Sequence, residues 1–183
     1  MKKFTLITIC CVFLTACISI PPGLQTENVD IQALTQINAE DYTCGCKKVR
    51  LGGQIISAVA LKKQTKLEIL SFPISKYSAK PNLEKQSDGR FIAYLEGFVD
   101  PKVLQDQYIT VVGKLILQEK GNIDQAEYTY PVVQVENYKR WNVSLEYYDP
   151  NDWEGSPLFR RSMFNIYADS IWKPLIKIHY QLH

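Results

Sequence analysis

Five cysteines and two histidines hold most of the reactive capacity of this 183-residue sequence. Cys10 and Cys11 lie inside an apolar run, and Cys17 ends it as Leu14-Thr15-Ala16-Cys17. Cys44 and Cys46 flank a single glycine, Gly45. Such a pair has three outcomes: a small, readily reduced disulfide in an oxidising compartment, two free thiols, or a metal or redox role. A metal would need further donors, and the only histidines, His179 and His183, stand at the far C-terminus. A Ser-His-acid triad needs a histidine beside its nucleophile, so these two are poor candidates. Glu68 and Asp100 could form a carboxylate pair, but carboxylates are abundant and nothing else marks these two. No phosphate loop, dinucleotide fingerprint or His-rich metal motif occurs. The residues point away from an enzyme, and neither cofactor nor metal is expected.

Cys17 stands in a more telling setting. Lys2 and Lys3 form a basic start, and Phe4–Leu14 is an eleven-residue uncharged apolar run. Eleven residues cannot cross roughly 30 Å of hydrocarbon as a helix, but they suit the apolar region of a signal peptide. Leu14-Thr15-Ala16-Cys17 then resembles a lipobox. The small residues before the cysteine let a peptidase close on the backbone, and the thiol accepts a diacylglyceryl group. Residues 1–16 are therefore expected to be removed and Cys17 to carry lipid, palmitate included. Ile18 follows the cysteine. In lipoproteins generally an aspartate there holds the protein at the inner membrane, so the outer membrane is the expected destination. Two of the 21 basic side chains leave with the leader, so 19 remain against 19 acidic ones. A balanced charge argues against nucleic acid, whose binding rests on clustered Lys and Arg.

The rest of the chain must present these groups. Residues 17–29, with Pro21, Pro22 and Gly23, read as a tether. Ile31, Leu34 and Ile37 recur every third position, which predicts a short helix with Asp30 as its N-cap, placed to cover one end of a barrel. Alternation from Lys48 to Leu61 predicts a long strand, interrupted at Gly52-Gly53 by a bulge or sharp coil. Gln64–Phe72 is a second strand, closed by Pro73, and 77–88 is a loop. A third strand begins at Gly89. Asp100-Pro101 is a helix start, with one or two turns over 102–107. Tyr108–Leu117 is a fourth strand, Lys120-Gly121-Asn122 a turn, and Ala126–Tyr138 a fifth strand with Pro131 at an edge or bulge. The predicted class is mainly β: a small OB-like five-stranded Greek-key barrel over 30–141, with short helices. An irregular C-terminal extension, 142–183, follows. It contains Trp153, Trp172, turn residues at 149–157, and a last short strand around Ile176, Ile178 and Tyr180.

Six short stretches follow in order: Val49-Arg50-Leu51-Gly52-Gly53, Thr65-Lys66-Leu67-Glu68-Ile69, Gly89-Arg90-Phe91, Gly97-Phe98-Val99-Asp100-Pro101, Ile109-Thr110-Val111-Val112-Gly113 and Tyr130-Pro131-Val132-Val133. Together they resemble the Slp family, the starvation-inducible outer-membrane lipoproteins of Gram-negative bacteria. The likeness covers about 40–141 and fades after Trp141. The family tends to have glycine near position 46, so Cys44-Gly45-Cys46 departs from it. The resemblance implies a non-enzymatic envelope role linked to starvation or stress, and it carries no catalytic residues.

Two functional readings follow. In the first, the barrel presents a surface to another envelope protein while the lipid holds it to the outer membrane, facing the periplasm. In the second, it binds a small ligand or glycan on a barrel face bearing Arg50, Arg90 and Tyr94. The charged residues Arg50, Glu68, Arg90 and Asp100 have a plainer reading as surface pairs or caps. Tyr94, Tyr128, Tyr130 and Trp141 likewise read first as packing residues.

Overall fold

In the computed structural model, which describes residues 19–25, 29–148 and 177–182, alternation decides where each strand turns its side chains. The described residues fall into two units, one within Met1–Arg140 and one within Trp141–His183. In the first, β1 is Lys48–Ala60, β2 Gln64–Phe72, β3 Gly89–Glu96, β4 Tyr108–Ile123 and β5 Ala126–Trp141. β2 shows the pattern best: Thr65, Leu67, Ile69 and Ser71 are buried, and the residues between them are half-buried. Period-two burial is what a sheet with one face on a core requires.

The strands close into a barrel in the order β1-β2-β3-β5-β4. β1 runs antiparallel to β2 and to β4, and β2 antiparallel to β3. β3 meets β5 in parallel, through Ile92–Val132, Ala93–Val133 and Tyr94–Gln134. Pro131, which has no N–H to donate, stands one residue before this paired stretch. The interior is filled by Val49, Leu51, Ile55, Leu67, Ile69, Phe91, Leu95, Ile109, Val111, Leu115 and Val133, among others. Burying each large apolar side chain contributes about 1.5–3 kcal/mol, and this is the main term favouring the fold.

Gly52 and Gly53 do not interrupt β1. They pair with Phe72 and Ser71 in an unbroken ladder, and the register shift falls between Ile55 and Ser57. The glycines are there for space: a Cβ on Gly53 would stand 2.0 Å from the Leu70 carbonyl oxygen, and one on Gly113 would stand 2.1 Å from that of Gln134. The hairpin between β4 and β5 also turns later than 120–122. β4 continues to Ile123, and the turn is Asp124-Gln125, with Asp124 at φ 53°. Gly121 is a strand residue whose missing side chain admits the Tyr130 ring, 3.1 Å from where its Cβ would be.

Both barrel ends are covered. At one, α1 (Pro101–Leu104) is capped by Asp100, whose carboxylate accepts the Lys102 N–H at 2.9 Å, and Leu104 enters the core. It is shorter than the predicted 102–107, because Gln105 is already extended and Asp106 has φ 63°. At the other end the expected helix is instead two 3-10 turns, Leu34–Gln36 and Ala39–Tyr42, with Leu34, Ile37 and Tyr42 packed on the core. Asp30 caps neither; its Oδ2 accepts the Lys48 N–H at 3.0 Å, and Ile31 bridges to Val49. Tying this segment to β1 takes up the backbone groups a continuous helix would have used.

The second unit is not irregular throughout. β6 (Val143–Tyr148) and β7 (Lys177–Leu182) pair antiparallel, from Val143–Leu182 to Tyr148–Lys177. The turn residues 149–157, Trp153, Trp172 and His183 lie outside the described residues.

Candidate functional site

The outward faces of β2 and β3 carry most of the polar side chains singled out in the sequence. Lys66, Glu68, Arg90 and Tyr94 alternate with core residues, and the register sets Lys66 opposite Tyr94. This face is not open. β4 and β5 continue past the barrel as a long hairpin, and side chains from that arm lie on it. Glu119 of β4 pairs with Lys66 and accepts the Tyr94 hydroxyl at 3.0 Å. Arg90 donates to Glu68 Oε1 at 2.8 Å, and the Tyr130 hydroxyl stands 3.2 Å from the same oxygen. The Tyr128 hydroxyl accepts the Arg90 backbone N–H at 3.0 Å and packs edge-on to Tyr130, with ring centroids 4.7 Å apart. Beneath this polar layer Ile92, Tyr130 and Val132 form a second, smaller apolar cluster, supported by Tyr94, Ile116, Ile123 and Tyr128.

The electrostatics are those of mutual satisfaction. Hydrogen bonds from Lys66 and then Tyr94 hold the Glu119 carboxyl below its usual range, against an opposing effect of burial. Burial disfavours the Lys66 ammonium, but Glu119 and Tyr94 more than offset this, and its pKa is raised. The hydrogen bond to Glu68 raises that of Arg90. Burial, and then Glu119, raise Tyr94; burial, and then the charge of Glu68, raise Tyr130. Each of these shifts runs away from neutral pH, where a general acid or base would be tuned.

Arg50 belongs elsewhere. The ladders align Arg90 with Leu70 and Gln54, so Arg50 lies four residues further back along β1, about 13 Å along the strand. Its guanidinium is covered: Nη1 donates to the Leu24 carbonyl at 3.2 Å, Nη2 donates to Gln32 Oε1 at 3.0 Å, and Nε is buried without a partner. Burial lowers its pKa. Arg50 thus fastens the N-terminal segment to the barrel. The structure brings Arg90 and Tyr94 onto one face and leaves Arg50 off it, so the three do not form a single ligand surface. Sequence reading did not anticipate Glu119, because nothing in the β4 pattern shows that the strand outruns the barrel.

Cys44 and Cys46 are joined in a disulfide between the second 3-10 turn and β1, and both are solvent-exposed. Among the described residues no group of three or more His, Cys, Asp or Glu is placed to hold a metal. An open cleft of about 440 Å³ lies past the last β3–β5 pair, walled by Leu95, Glu96, Gln134, Val135, Glu136 and Tyr138. Nothing in the sequence marked it. Its walls hold no nucleophile and base in contact, and Glu136 turns to Lys114 at 3.7 Å. Among the described residues no helix is long and apolar enough to cross a membrane. Cys17 and the leader 1–16 lie outside the described residues.

Comparison with known proteins supplies what this geometry does not. The family model of the outer membrane lipoprotein Slp family matches residues 14–171. An uncharacterized protein of Haemophilus influenzae is 46% identical over 183 residues, covering 99% of this chain and 98% of its own. The outer membrane protein Slp of Escherichia coli is 30% identical, over 78% of this chain and 77% of its own. The uncharacterized lipoprotein YeaY of the same species is 29% identical, over 73% and 69%. None of these names is that of an enzyme. No solved structure matches. With its β-rich body, its ordered motifs and a family match over most of its length, the chain belongs to the outer membrane lipoprotein Slp family.

Proposed function

We propose that this chain is a lipid-anchored, non-enzymatic lipoprotein of the outer membrane, facing the periplasm and serving the envelope during starvation or stress. The observation that carries this reading is Leu14-Thr15-Ala16-Cys17 at the end of an eleven-residue apolar run. It agrees with the family's name and with the name of the Escherichia coli relative. In this account 1–16 is a removed leader and 17–29 is a tether whose Leu24 is held against the barrel by Arg50. The domain over 30–141 is an OB-like Greek-key barrel, and 142–183 is an extension. The parallel contact of β3 with β5, and a short helix between β3 and β4, support the OB-like assignment. A ligand groove on the β2–β3 face has less support, because the chain's own β4–β5 arm fills that face. The expected partners are therefore the membrane and another envelope protein.

The test is Cys17→Ala. The variant is expected to accumulate as uncleaved precursor or to leave the membrane fraction, and to take up no palmitate in metabolic labelling. Labelling equal to that of the native protein would sink the assignment.

A further inference from the structure

We infer that the barrel end formed by the β1–β2 turn and the β3–α1 connection is a second, non-covalent contact with the membrane, made to anionic phospholipid. The inference rests on the anchored reading above and adds a surface to it.

The residues at this end are unusual for a water-facing tip. Val59, Ala60, Leu61, Lys62 and Lys63 are five consecutive exposed residues, with Val59 49% and Leu61 40% exposed. Phe98 is 73% exposed and Val103 52%. Most side chains of this size are buried when the fold can bury them, so several exposed at one place mark a contact surface. The chain holds them together. Gly97 N–H donates to the Lys63 carbonyl at 3.0 Å, which sets Phe98 beside the turn. Thr65 Oγ1 donates to the Gly97 carbonyl and accepts the Val99 N–H, both at 3.0 Å. Leu104 in the core fixes α1 and with it the neighbouring Val103. These contacts gather the patch at one edge of the barrel.

Its charges select the occupant. Lys62, Lys63 and Lys102 are exposed around the apolar residues. Of the acids on this end, Asp100 is turned to the Lys102 backbone amide. Glu96, across from Gln64, and Asp106, whose N–H donates to the Ile55 carbonyl, are exposed too, so the positive excess is local to Lys62 and Lys63 on the β1–β2 turn. Aliphatic tips beside paired lysines, with Phe98 alongside, match the boundary between headgroups and acyl chains of an anionic bilayer.

Two measurements test this. In the lipidated mature protein Cys17 is blocked and Cys44–Cys46 is joined, so Phe98→Cys provides a single thiol for a nitroxide label. In vesicles of phosphatidylethanolamine and phosphatidylglycerol the label at 98 is expected to be protected from an aqueous nickel relaxer. One at Tyr77→Cys, beyond the other end of β2, is expected to stay accessible. Equal accessibility at both positions, with the protein still vesicle-bound, overturns the inference and leaves the anchor standing. So does protection at 98 in native membranes but not in protein-free vesicles, which would assign the patch to a protein partner. The second measurement uses the mature chain carrying Cys17→Ser. Its sedimentation with phosphatidylglycerol vesicles is expected to be salt-sensitive and to fall roughly fivefold for each of Lys62→Gln and Lys63→Gln. Binding indifferent to both substitutions overturns the inference. Lysine-dependent binding by this chain would support the patch even if the covalent anchor were disproved.

Discussion

Gly53→Ala should destabilise the barrel far more than the added methyl group would suggest. The new Cβ would meet the Leu70 carbonyl oxygen at 2.0 Å and the Leu70 carbonyl carbon at 2.8 Å. Ordinary carbon–oxygen contact is about 3.4 Å, so the two backbones must part by more than 1 Å, and neither is a flexible side-chain end. Gly53 lies between β2 and β4, paired to Ser71 and Ile109, so the displacement strains both ladders. Overpacking of this kind costs about 1–3 kcal/mol when side chains can yield, and a backbone clash belongs at or above the upper end. In a chain of this length about 3 kcal/mol lowers Tm by roughly 6–12 °C. Gly97→Ala separates space from conformation, since its Cβ would meet nothing within 4 Å while its φ is +81°. That variant should lose only about 1–2 kcal/mol. Urea denaturation followed by tryptophan fluorescence reads both midpoints. A Gly53→Ala midpoint equal to or above that of Gly97→Ala would falsify the argument that close backbone approach dictates this glycine.

Other consequences concern the polar contacts. Glu119→Gln removes an ion pair whose side chains are 30% and 33% exposed, so the loss near neutral pH should be about 0.5–1 kcal/mol. Because Glu119 is held below its ordinary value of 4.5, its contribution is present above that value and is lost as pH falls through the lowered one. The gap between native and variant stability should therefore close well below pH 4.5, and a gap unchanged with acid would count against the clasp. Cys44→Ser opens a ring between cysteines only two positions apart, for which loop entropy gives about 1.5 kcal/mol; calorimetry finding a loss above about 3 kcal/mol would contradict this. Arg50→Ala should cost about 1–3 kcal/mol and expose residues 19–25 to faster hydrogen exchange than the barrel strands. Uniform exchange across both would show that Arg50 does not fasten this segment.

The strands were legible because their burial follows the period-two pattern. β2 can be read directly from Thr65, Leu67, Ile69 and Ser71, and Asp100-Pro101 announced α1 through a side-chain cap that needs no tertiary partner. Where long-range contacts decide, local reading failed. Gly121 looks like a turn residue, yet it sits in a strand to make room for Tyr130, which lies nine residues on. Ile31, Leu34 and Ile37 have helical spacing, but Asp30 and Ile31 bond to β1 and leave only 3-10 turns. The candidate face was half legible: alternation put Arg90 and Tyr94 outward on one strand. It could not show that Arg50 is covered by Leu24, nor that Glu119 reaches across from an overlong β4.

The parallel join of Ile92, Ala93 and Tyr94 to Val132, Val133 and Gln134 is three paired positions long, against eight for β1–β2, eight for β2–β3 and seven for β1–β4. Its two sides are 40 residues apart in sequence (132 − 92), while hairpin partners such as Ala60 and Thr65 are near neighbours. Loop closure of that length must precede any gain from the contact, so this seam forms later than the β1–β2 hairpin. With few rungs to break, it is also where the closed wall first breathes.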